Sequence, residues 1–379
     1  MNKITDLSVK EVMITGGFWK ELLDKVRTQV IPYQWKVLND DIPNIPPSYC
    51  MNNFHVAAGK KEGEFGGCVF QDSDVGKWLE AVGYVLMQYS GPALEELADS
   101  AIGDIIAAQQ PDGYLNTYYI INGLDKRFTN LKDNHELYCL GHLLEGAVTY
   151  YQATGKDKLL NALIRYVDLV DSLIGPEEGK IHGYPGHEEI ELALMKLYSV
   201  TKDERHLKLA GYFIGERGKA PLYFKEETEK YGNTDYWKDS PFQYHYYQAG
   251  EPVREQQYAI GHAVRAMYLY SGMADLAAKI DDPSLMDACK RLWNDVTNRQ
   301  MYITGAVGSS AYGESFTFDY DLPNDTIYAE TCASIGLCFF AKRMMKLECS
   351  ARYGDILEKC LFNGIISGIS YDGTSFFYV

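Results

Sequence analysis

The chain has 379 residues, 46% of them hydrophobic, so it can bury a large core. Its formal charge of −16 argues against nucleic acid as a partner, because the sequence holds no basic block that could neutralise phosphates. No apolar run approaches the roughly 20 residues that span a bilayer, and the opening MNKITDLSVKEVMITGG lacks the apolar core of a secretory signal, so we expect no membrane contact and a cytoplasmic location.

Apolar residues recur at helical spacing along most of the chain. The predicted helices span 17–38, 76–90, 93–109, 135–153, 157–174, 188–201, 203–216, 255–279, 283–298, 331–347 and 350–368. Several pairs of predicted helices share one sequence pattern, as in EGAVTYYQATGKDKLLNALIRYV. The pattern is an apolar helix ending in tyrosine, a short turn and an amphipathic helix. Such hairpins cannot bury their apolar faces alone and must stack. The sequence therefore predicts one all-α domain over residues 1–379, built as an open solenoid or a closed ring.

Long loops rich in glycine and aromatic residues interrupt the hairpins and favour the ring. They read IPPSYCMNNFHVAAGKKEGEFGG, QQPDGYLNTYYI, GKIHGYPGHEEI and YFKEETEKYGNTDYWKDSPFQYHYYQAGEP. At one end of a ring these loops would form a deep cup. Thirty tyrosines suit a cup for sugars, because a tyrosine ring packs on CH groups while its hydroxyl forms hydrogen bonds. An open solenoid that binds protein remains the alternative.

Three histidines follow glycine and stand at or near the start of an apolar helix: His142, His187 and His262. Each one alone is typical of a structural, hydrogen-bonded histidine. Three in equivalent positions of a repeat would converge on one end of the ring, where they could bind hydroxyl groups. His135 and His182 carry the same ambiguity in a weaker context.

The segment GESFTFDYDLPNDTIYAETC places three reactive side chains close together in sequence. Glu314 is a candidate proton donor. Glu330 and Cys332 lie at the predicted junction between an extended segment and a helix, and a carboxylate with a thiolate can bind zinc. A helix-capping acid beside a packed thiol is the competing interpretation. The other cysteines show no paired spacing and are predicted to be reduced thiols.

The blocks GESFTFDYDLPNDTIYAETCASIG, GYPGHEEIELALMKLY, DSDVGKWLEA, QQPDGYLNTYY and ELYCLGHLLEGAV resemble glycoside hydrolase family 127, the β-L-arabinofuranosidases. The resemblance implies an (α/α)6 barrel followed by C-terminal β-sandwich domains that this chain lacks. It also implies a retaining hydrolase for oligosaccharides or glycoconjugates, with a zinc-bound cysteine nucleophile and a glutamate acid/base. Matched by motif, the acid/base would be Glu314, the zinc ligands Glu330 and Cys332, and the sugar contacts His142, His187 and His262.

One departure from the family pattern bears on activity. In the family, the nucleophile and a further zinc ligand form an adjacent cysteine pair well after the ETC block. This sequence contains no such pair, and its last cysteine is Cys360. We therefore expect the barrel portion of a longer enzyme, with half of the zinc site and no activity. Apolar surface normally covered by the missing part could lead to a homo-oligomer.

A proton donor at neutral pH needs a raised pKa, and we predict one for Glu314 from burial against Tyr312, Phe316 and Phe318.

Two other functions remain open. The first is a sugar-active (α/α)6 enzyme with two carboxylates, in which Asp72 or Asp74 would assist Glu314, although both precede a helix and capping is the competing role. The second is a non-catalytic helical-repeat module that binds carbohydrate or protein.

Overall fold

In the computed structural model, which describes residues 6–234 and 243–379, the regular structure is mainly helical. Within these ranges two short strands form, β1 (Gly261–His262) and β2 (Ser315–Phe316). The helices are α1 (Gly17–Lys25), α2 (Ile31–Leu38), α3 (Cys50–Ala57), α4 (Asp72–Gln88), α5 (Pro92–Ala107), α6 (Thr117–Asn122), α7 (Glu136–Thr154), α8 (Lys158–Leu173), α9 (Ile190–Thr201), α10 (Glu204–Glu216), α11 (Tyr223–Tyr231), α12 (Ala263–Ile280), α13 (Pro283–Arg299), α14 (Thr331–Leu347) and α15 (Ala351–Lys359). A π-helical segment, Val26–Val30, joins α1 to α2, and a second, Cys360–Ile365, extends α15.

Most predicted helices are confirmed within a few residues, and two starts differ. Helix α4 begins at Asp72 rather than at 76, because its acidic residues form the first turn instead of preceding it. Helix α12 begins at Ala263 rather than at 255, because residues just before it form strand β1. Three short helices, α3, α6 and α11, lie in segments predicted to be loops. Part of the last predicted loop, 235–242, is outside the described residues.

Consecutive helices pair as hairpins with one inner and one outer member. The inner helices α4, α7, α9, α12 and α14 pack on one another in that order, and each also contacts the helix that follows it in its own hairpin. Every residue from Glu136 to Tyr150 of α7 is buried, as expected of a helix enclosed on all sides. Its outer partner α8 buries one stripe, including Leu159, Leu163 and Tyr166, at helical spacing.

The ring is completed by the helical segment 17–38. The Trp78 indole N–H in α4 donates to the Ile31 carbonyl at 3.1 Å. At the other side, the rings of Phe18 and Trp19 contact Phe362, with centroids 6.0 and 5.1 Å apart. The predicted (α/α)6 barrel is thereby confirmed, and the open solenoid is not observed among the described residues.

Two inner helices approach so closely that only glycine fits between them. A Cβ atom on Gly76 would lie 2.7 Å from the backbone carbonyl of His142, and one on Gly146 would lie 2.5 Å from the Gly76 carbonyl oxygen. We expect Gly76→Ala to lower the free energy of unfolding by about 1–3 kcal/mol, because two backbones would have to separate. Urea unfolding followed by circular dichroism measures the change.

Gly103 provides a matched control for that prediction. It lies in the outer helix α5, is exposed, and a Cβ atom there would meet nothing within 4 Å. Gly103→Ala should therefore be neutral or stabilising by up to about 1 kcal/mol, from helix propensity alone. Equal losses in the two variants would contradict close packing of α4 on α7.

Among the described residues, no helix combines the length and apolarity needed to cross a membrane.

Candidate active site

A cavity of about 670 Å³ opens at the N-terminal ends of the inner helices, and we call it the cup. Its wall includes side chains from α4, α7, α12 and α14 and from the loops that precede them. The chemically reactive groups in this wall include His135, His187, His262, Glu314, Glu330 and Cys332. The structure thus brings five of the six predicted site residues into one cavity.

The sixth predicted residue, His142, is not among the lining residues of the cup. It lies inside α7, buried, and its ring packs edge-on against Tyr138, which does line the cup. The structure therefore places His142 behind the wall of the cup.

His135, rather than His142, stands where a histidine was predicted at the start of this helix. It directly precedes α7, with φ 56° and ψ 21°, in the same way that His187 and His262 stand just before α9 and α12. His142 is seven residues further on, about two turns deeper along the same helix face. The histidine that faces the cup is the one next to the first residue of the helix. A preceding glycine does not identify it.

The three histidines of the cup form a row. The ring centroids of His135 and His187 are 5.4 Å apart, and those of His187 and His262 are 5.5 Å apart. Burial lowers the pKa of His135 to about 3 and that of His262 to about 4, and it holds the pKa of His187 well below its usual range. All three are neutral at pH 7, so each ring has one N–H donor and one acceptor nitrogen. Nδ1 of His135 lies 2.6 Å from the Asp133 carbonyl, which leaves its Nε2 to accept a hydrogen bond from a sugar hydroxyl group.

A minimal antiparallel ladder joins His262 to Glu314. In β1 and β2, His262 pairs with Ser315, and the Ala263 amide donates to the Glu314 carbonyl at 2.9 Å. Nδ1 of His262 accepts from the Arg265 amide, which leaves Nε2 as the donor to the Glu314 carboxylate at 3.0 Å. Tyr328 donates to the other carboxylate oxygen at 2.8 Å. Glu314 is therefore held in a fixed position from both sides.

The prediction of a raised pKa for Glu314 is wrong for this structure. The hydrogen bond from His262 lowers its pKa, and this effect outweighs the partial burial of the carboxyl group, whose side chain is 36% exposed. Of the aromatic residues expected to bury it, Tyr312 and Phe318 are exposed and only Phe316 is buried. With no ligand in the cup, Glu314 is ionised at neutral pH.

We expect His262→Ala to raise the pKa of Glu314, because it removes the main group that stabilises the carboxylate. Since a lowered carboxyl pKa stabilises the fold above the unfolded pKa and loses that effect as the pH falls, the variant should also lose less stability than the wild type on acidification. NMR titration of a ¹³C-labelled Glu314 carboxyl measures the shift directly. An unchanged or lower pKa would contradict the hydrogen bond.

Buried arginines fix the loop that carries His187. Arg217 donates to the Pro185 carbonyl at 2.7 Å, and Arg265 donates to the Gly186 carbonyl at 2.9 Å. Nδ1 of His187 lies 3.0 Å from the Glu188 carbonyl, so its Nε2 is left to accept hydrogen bonds. Sequence patterns gave no indication of either arginine.

Glu330 and Cys332 lie at the start of α14, as predicted. Glu330 precedes the first helical residue, and both side chains face the cup. Burial and the neighbouring Glu330 carboxyl raise the pKa of the Cys332 thiol to about 12, and burial raises the pKa of Glu330. Without a cation, the pair is thus a thiol beside a carboxyl group that resists ionisation.

The donor types of this pair suit zinc, although the pair is incomplete. One buried Glu330 oxygen has no hydrogen-bond partner within the described part of the chain, as expected of an oxygen open to a metal. Zinc binds thiolate and carboxylate, but usually takes four ligands. Glu330 and Cys332 therefore fit half of a zinc site.

Aromatic and charged groups complete the wall of the cup. Tyr246, Tyr268 and Tyr378 line it, as the abundance of tyrosine suggested. Lys77 and Asp74 lie 3.5 Å apart on the same wall. The cup thus combines ring faces with hydrogen-bonding groups, as required for a sugar.

The two acids proposed as alternatives differ in position. Asp74 lines the cup, whereas Asp72 is buried outside it and accepts hydrogen bonds from the amide and hydroxyl of Thr117.

Comparison with known proteins gives a consistent result. The family model described as the β-L-arabinofuranosidase GH127 catalytic domain matches residues 11–379. A non-reducing end β-L-arabinofuranosidase of Bifidobacterium longum subsp. longum is 46% identical over 385 residues, covering 97% of this chain and 58% of that protein.

Solved structures agree. A GH127 β-L-arabinofuranosidase from Geobacillus stearothermophilus T6 superposes with a TM-score of 0.95 at 58% identity, over 97% of this chain and 58% of that one. A cellobiose 2-epimerase from Bacillus thermoamylovorans, only 11% identical, matches with a TM-score of 0.56 over 95% of this chain and 90% of its own, which reflects a shared fold. The chain thus spans well under two thirds of the arabinofuranosidases that it matches.

Proposed function

This chain belongs to the GH127 β-L-arabinofuranosidase family, and we propose that its cup binds a terminal β-L-arabinofuranosyl group and holds the acid/base of a retaining hydrolysis. The observation that carries the proposal is the shared cavity: the Glu314 carboxyl, fixed by His262 and Tyr328, lines the same cup as Glu330 and Cys332. A candidate proton donor and two candidate zinc ligands would thus face one ligand in the cup.

In this proposal, Glu314 donates a proton to the leaving oxygen and later takes one from water. The carboxyl group is ionised in the open cup, so it must gain a proton when the substrate binds. A sugar that fills the cup would exclude water from the exposed part of Glu314, and this desolvation raises a carboxyl pKa. The fixed contacts from His262 and Tyr328 keep the group in place through both steps.

We assign the sugar contacts to His187 and His262, and add His135 because it completes their row. Nε2 of His135 and of His187 can accept hydrogen bonds from sugar hydroxyl groups, because Nδ1 of each lies against a backbone carbonyl. The Nε2–H of His262 would be shared between the sugar and Glu314. His142, behind the wall, could influence the sugar through Tyr138.

Glu330 and Cys332 are the residues of this chain that would hold zinc. Zinc, when bound, would keep a cysteine sulfur deprotonated and thus nucleophilic, in the place that a second carboxylate takes in most retaining glycosidases. Because the sequence contains no adjacent cysteine pair, we propose that this chain by itself provides the sugar cup, the acid/base and half of the zinc site.

Isothermal titration with 4-nitrophenyl β-L-arabinofuranoside tests the binding proposal. We expect saturable binding that weakens about five- to tenfold in His187→Ala and in His135→Ala, the effect of losing one hydrogen bond of about 1 kcal/mol. The α-anomer should bind more weakly. Binding that is insensitive to both histidines, or equal for the two anomers, would contradict the assignment.

His182 offers a matched control. It is an exposed histidine outside the cup, on the same stretch of chain as His187. His182→Ala should bind the glycoside as the wild type does.

A further inference from the structure

Behind the cup, three side chains capable of binding metal meet inside the barrel. His142 and Glu145 both belong to α7, and Glu189 directly precedes α9. Their exposed fractions are 4%, 5% and 1%. The first two are three residues apart, so they lie on one face of the helix. Three such polar groups are unusual in the interior of an inner helix pair.

The ligand atoms of these residues lie within 4.8 Å of one another. Nδ1 of His142 is 3.3 Å from Oε1 of Glu189. Burial lowers the pKa of His142 and raises that of Glu189, so burial disfavours the charged form of each group.

Several of these atoms are left without partners. Within the described residues, neither ring nitrogen of His142 forms a hydrogen bond of acceptable geometry, and neither does Oε1 of Glu189. A buried polar group without a partner costs about 1–3 kcal/mol. Such groups in a folded protein call for an explanation, and an ion that coordinates them is one.

A nearby lysine does not account for the cluster. Lys196 forms an ion pair with Glu80 and lies 3.6 Å from Glu145. It therefore compensates one side of Glu145, but neither His142 nor Glu189 is hydrogen-bonded to it. The positive charge of Lys196 would repel a metal cation. Two acidic ligands would offset this repulsion better than one.

We propose that His142, Glu145 and Glu189 bind one divalent transition-metal ion, Zn²⁺ or Mn²⁺, at a site separate from Glu330 and Cys332 of the cup. Imidazole with two carboxylates suits both ions. Two ligands at about 2.1 Å from an ion are at most about 4.2 Å apart, so the cluster needs to contract only slightly.

The position of the ion suggests a structural role. It would join α7 to the start of α9, and the His142 ring packs on Tyr138 and Tyr268, which both line the cup. We infer that it stiffens the base of the cup without contacting the sugar. This proposal is independent of the assignment of the reaction.

The test is metal binding to the Cys332→Ser protein, which lacks the sulfur donor of the cup. After removal of metal by a chelator, the protein is titrated with Zn²⁺ alone and with Mn²⁺ alone, and bound metal is counted by mass spectrometry after dialysis. We expect about one equivalent of at least one ion. Glu189→Gln in the same background should weaken binding at least tenfold.

Glu136→Gln is the matched control, because Glu136 is another buried carboxyl at the start of α7 but lies outside the cluster. It should retain full binding. The proposal would be overturned if the Cys332→Ser protein bound less than about a tenth of an equivalent of Zn²⁺ and also of Mn²⁺. Undiminished binding in Glu189→Gln would overturn it as well.

A spectroscopic measurement covers the case in which Glu189→Gln does not fold. Co²⁺ added to the Cys332→Ser protein should give weak visible bands typical of nitrogen and oxygen ligands, without sulfur charge-transfer absorption. The absence of visible bands, or intense sulfur bands from another cysteine, would equally overturn the site.

Discussion

Assayed by itself, this chain is expected to bind 4-nitrophenyl β-L-arabinofuranoside and to leave it unhydrolysed. It holds a positioned acid/base in Glu314 but no cysteine pair to supply the zinc-bound nucleophile. Removing the nucleophile of an enzyme can lower kcat by about 10⁶-fold, even with the rest of the site intact. Release of 4-nitrophenol should therefore stay at the rate of the uncatalysed control, while titration shows binding.

The state of Cys332 supports this expectation. With a thiol pKa raised to about 12, only about one molecule in 10⁵ carries the thiolate at pH 7, so Cys332 is a poor nucleophile unless a metal is bound. Adding Zn²⁺ to the assay should not restore hydrolysis, because Glu330 and Cys332 are only half of a four-ligand site.

Two substitutions decide what any observed turnover means. If Glu314→Gln abolishes it and Cys332→Ser does not, the two-carboxylate mechanism is favoured, with Asp74 as the acid that shares the cup. If both abolish it, turnover needs the Cys332 sulfur, as a zinc ligand or as the nucleophile. If neither does, the activity comes from a contaminant. A chain that does not bind the glycoside would contradict the proposed function itself.

The overall architecture could be predicted from sequence because it depends on long, repeated patterns. An inner helix such as α7 is apolar on every side and an outer helix such as α8 on one side, and this difference is visible in the residues. Short helices such as α3 and α6 were missed, because one or two turns carry too few residues to establish a period.

The choice of histidine shows a different limit. His142 follows a glycine, as His187 and His262 do, and this local likeness concealed the fact that α7 begins well before it. Whether a helical side chain faces the cup or the interior depends on its distance from the helix start. Helix boundaries are the part of a sequence-based prediction that is least well determined.

The electrostatics of Glu314 could not be read from its neighbours in sequence. Its aromatic neighbours suggested burial, but a tight turn directs Tyr312 into solvent, while His262 arrives from a distant part of the chain. The ladder that joins His262 to Glu314 is two residues long on each strand, which is too short for an alternating pattern.

Replacing Arg217 by methionine is expected to lower the free energy of unfolding by about 3–5 kcal/mol, the usual effect of removing one partner from a buried ion pair. Its guanidinium is fully buried between Glu188, at 2.9 Å, and Glu191, at 3.1 Å, and both acids are fully buried as well. Methionine keeps much of the side-chain volume but provides no donors. Since domains are stable by only about 5–15 kcal/mol, this loss is a large fraction of the total.

Arg205 is the matched control for this substitution. It also bridges two acids, Asp203 and Asp168, but its side chain is 54% exposed. Exposed pairs contribute about 0–1 kcal/mol, so Arg205→Ala should change stability little. Similar losses at the two positions would show that burial does not determine the contribution of Arg217.

The pH dependence of the loss provides a second check with a defined sign. Burial raises the pKa of Glu188 to about 8 even with Arg217 present, so removing the arginine raises it further. A carboxyl group whose folded pKa exceeds its unfolded pKa destabilises the fold as the pH rises above the unfolded value. The loss of stability in Arg217→Met relative to the wild type should therefore be larger at pH 8 than at pH 5, and adding Glu191→Gln should recover part of it at pH 8.

Because Arg217 also holds the Pro185 carbonyl next to the loop of His187, glycoside binding should weaken even where the variant remains folded. Unchanged binding in a folded Arg217→Met protein would mean that Arg265 alone fixes that loop.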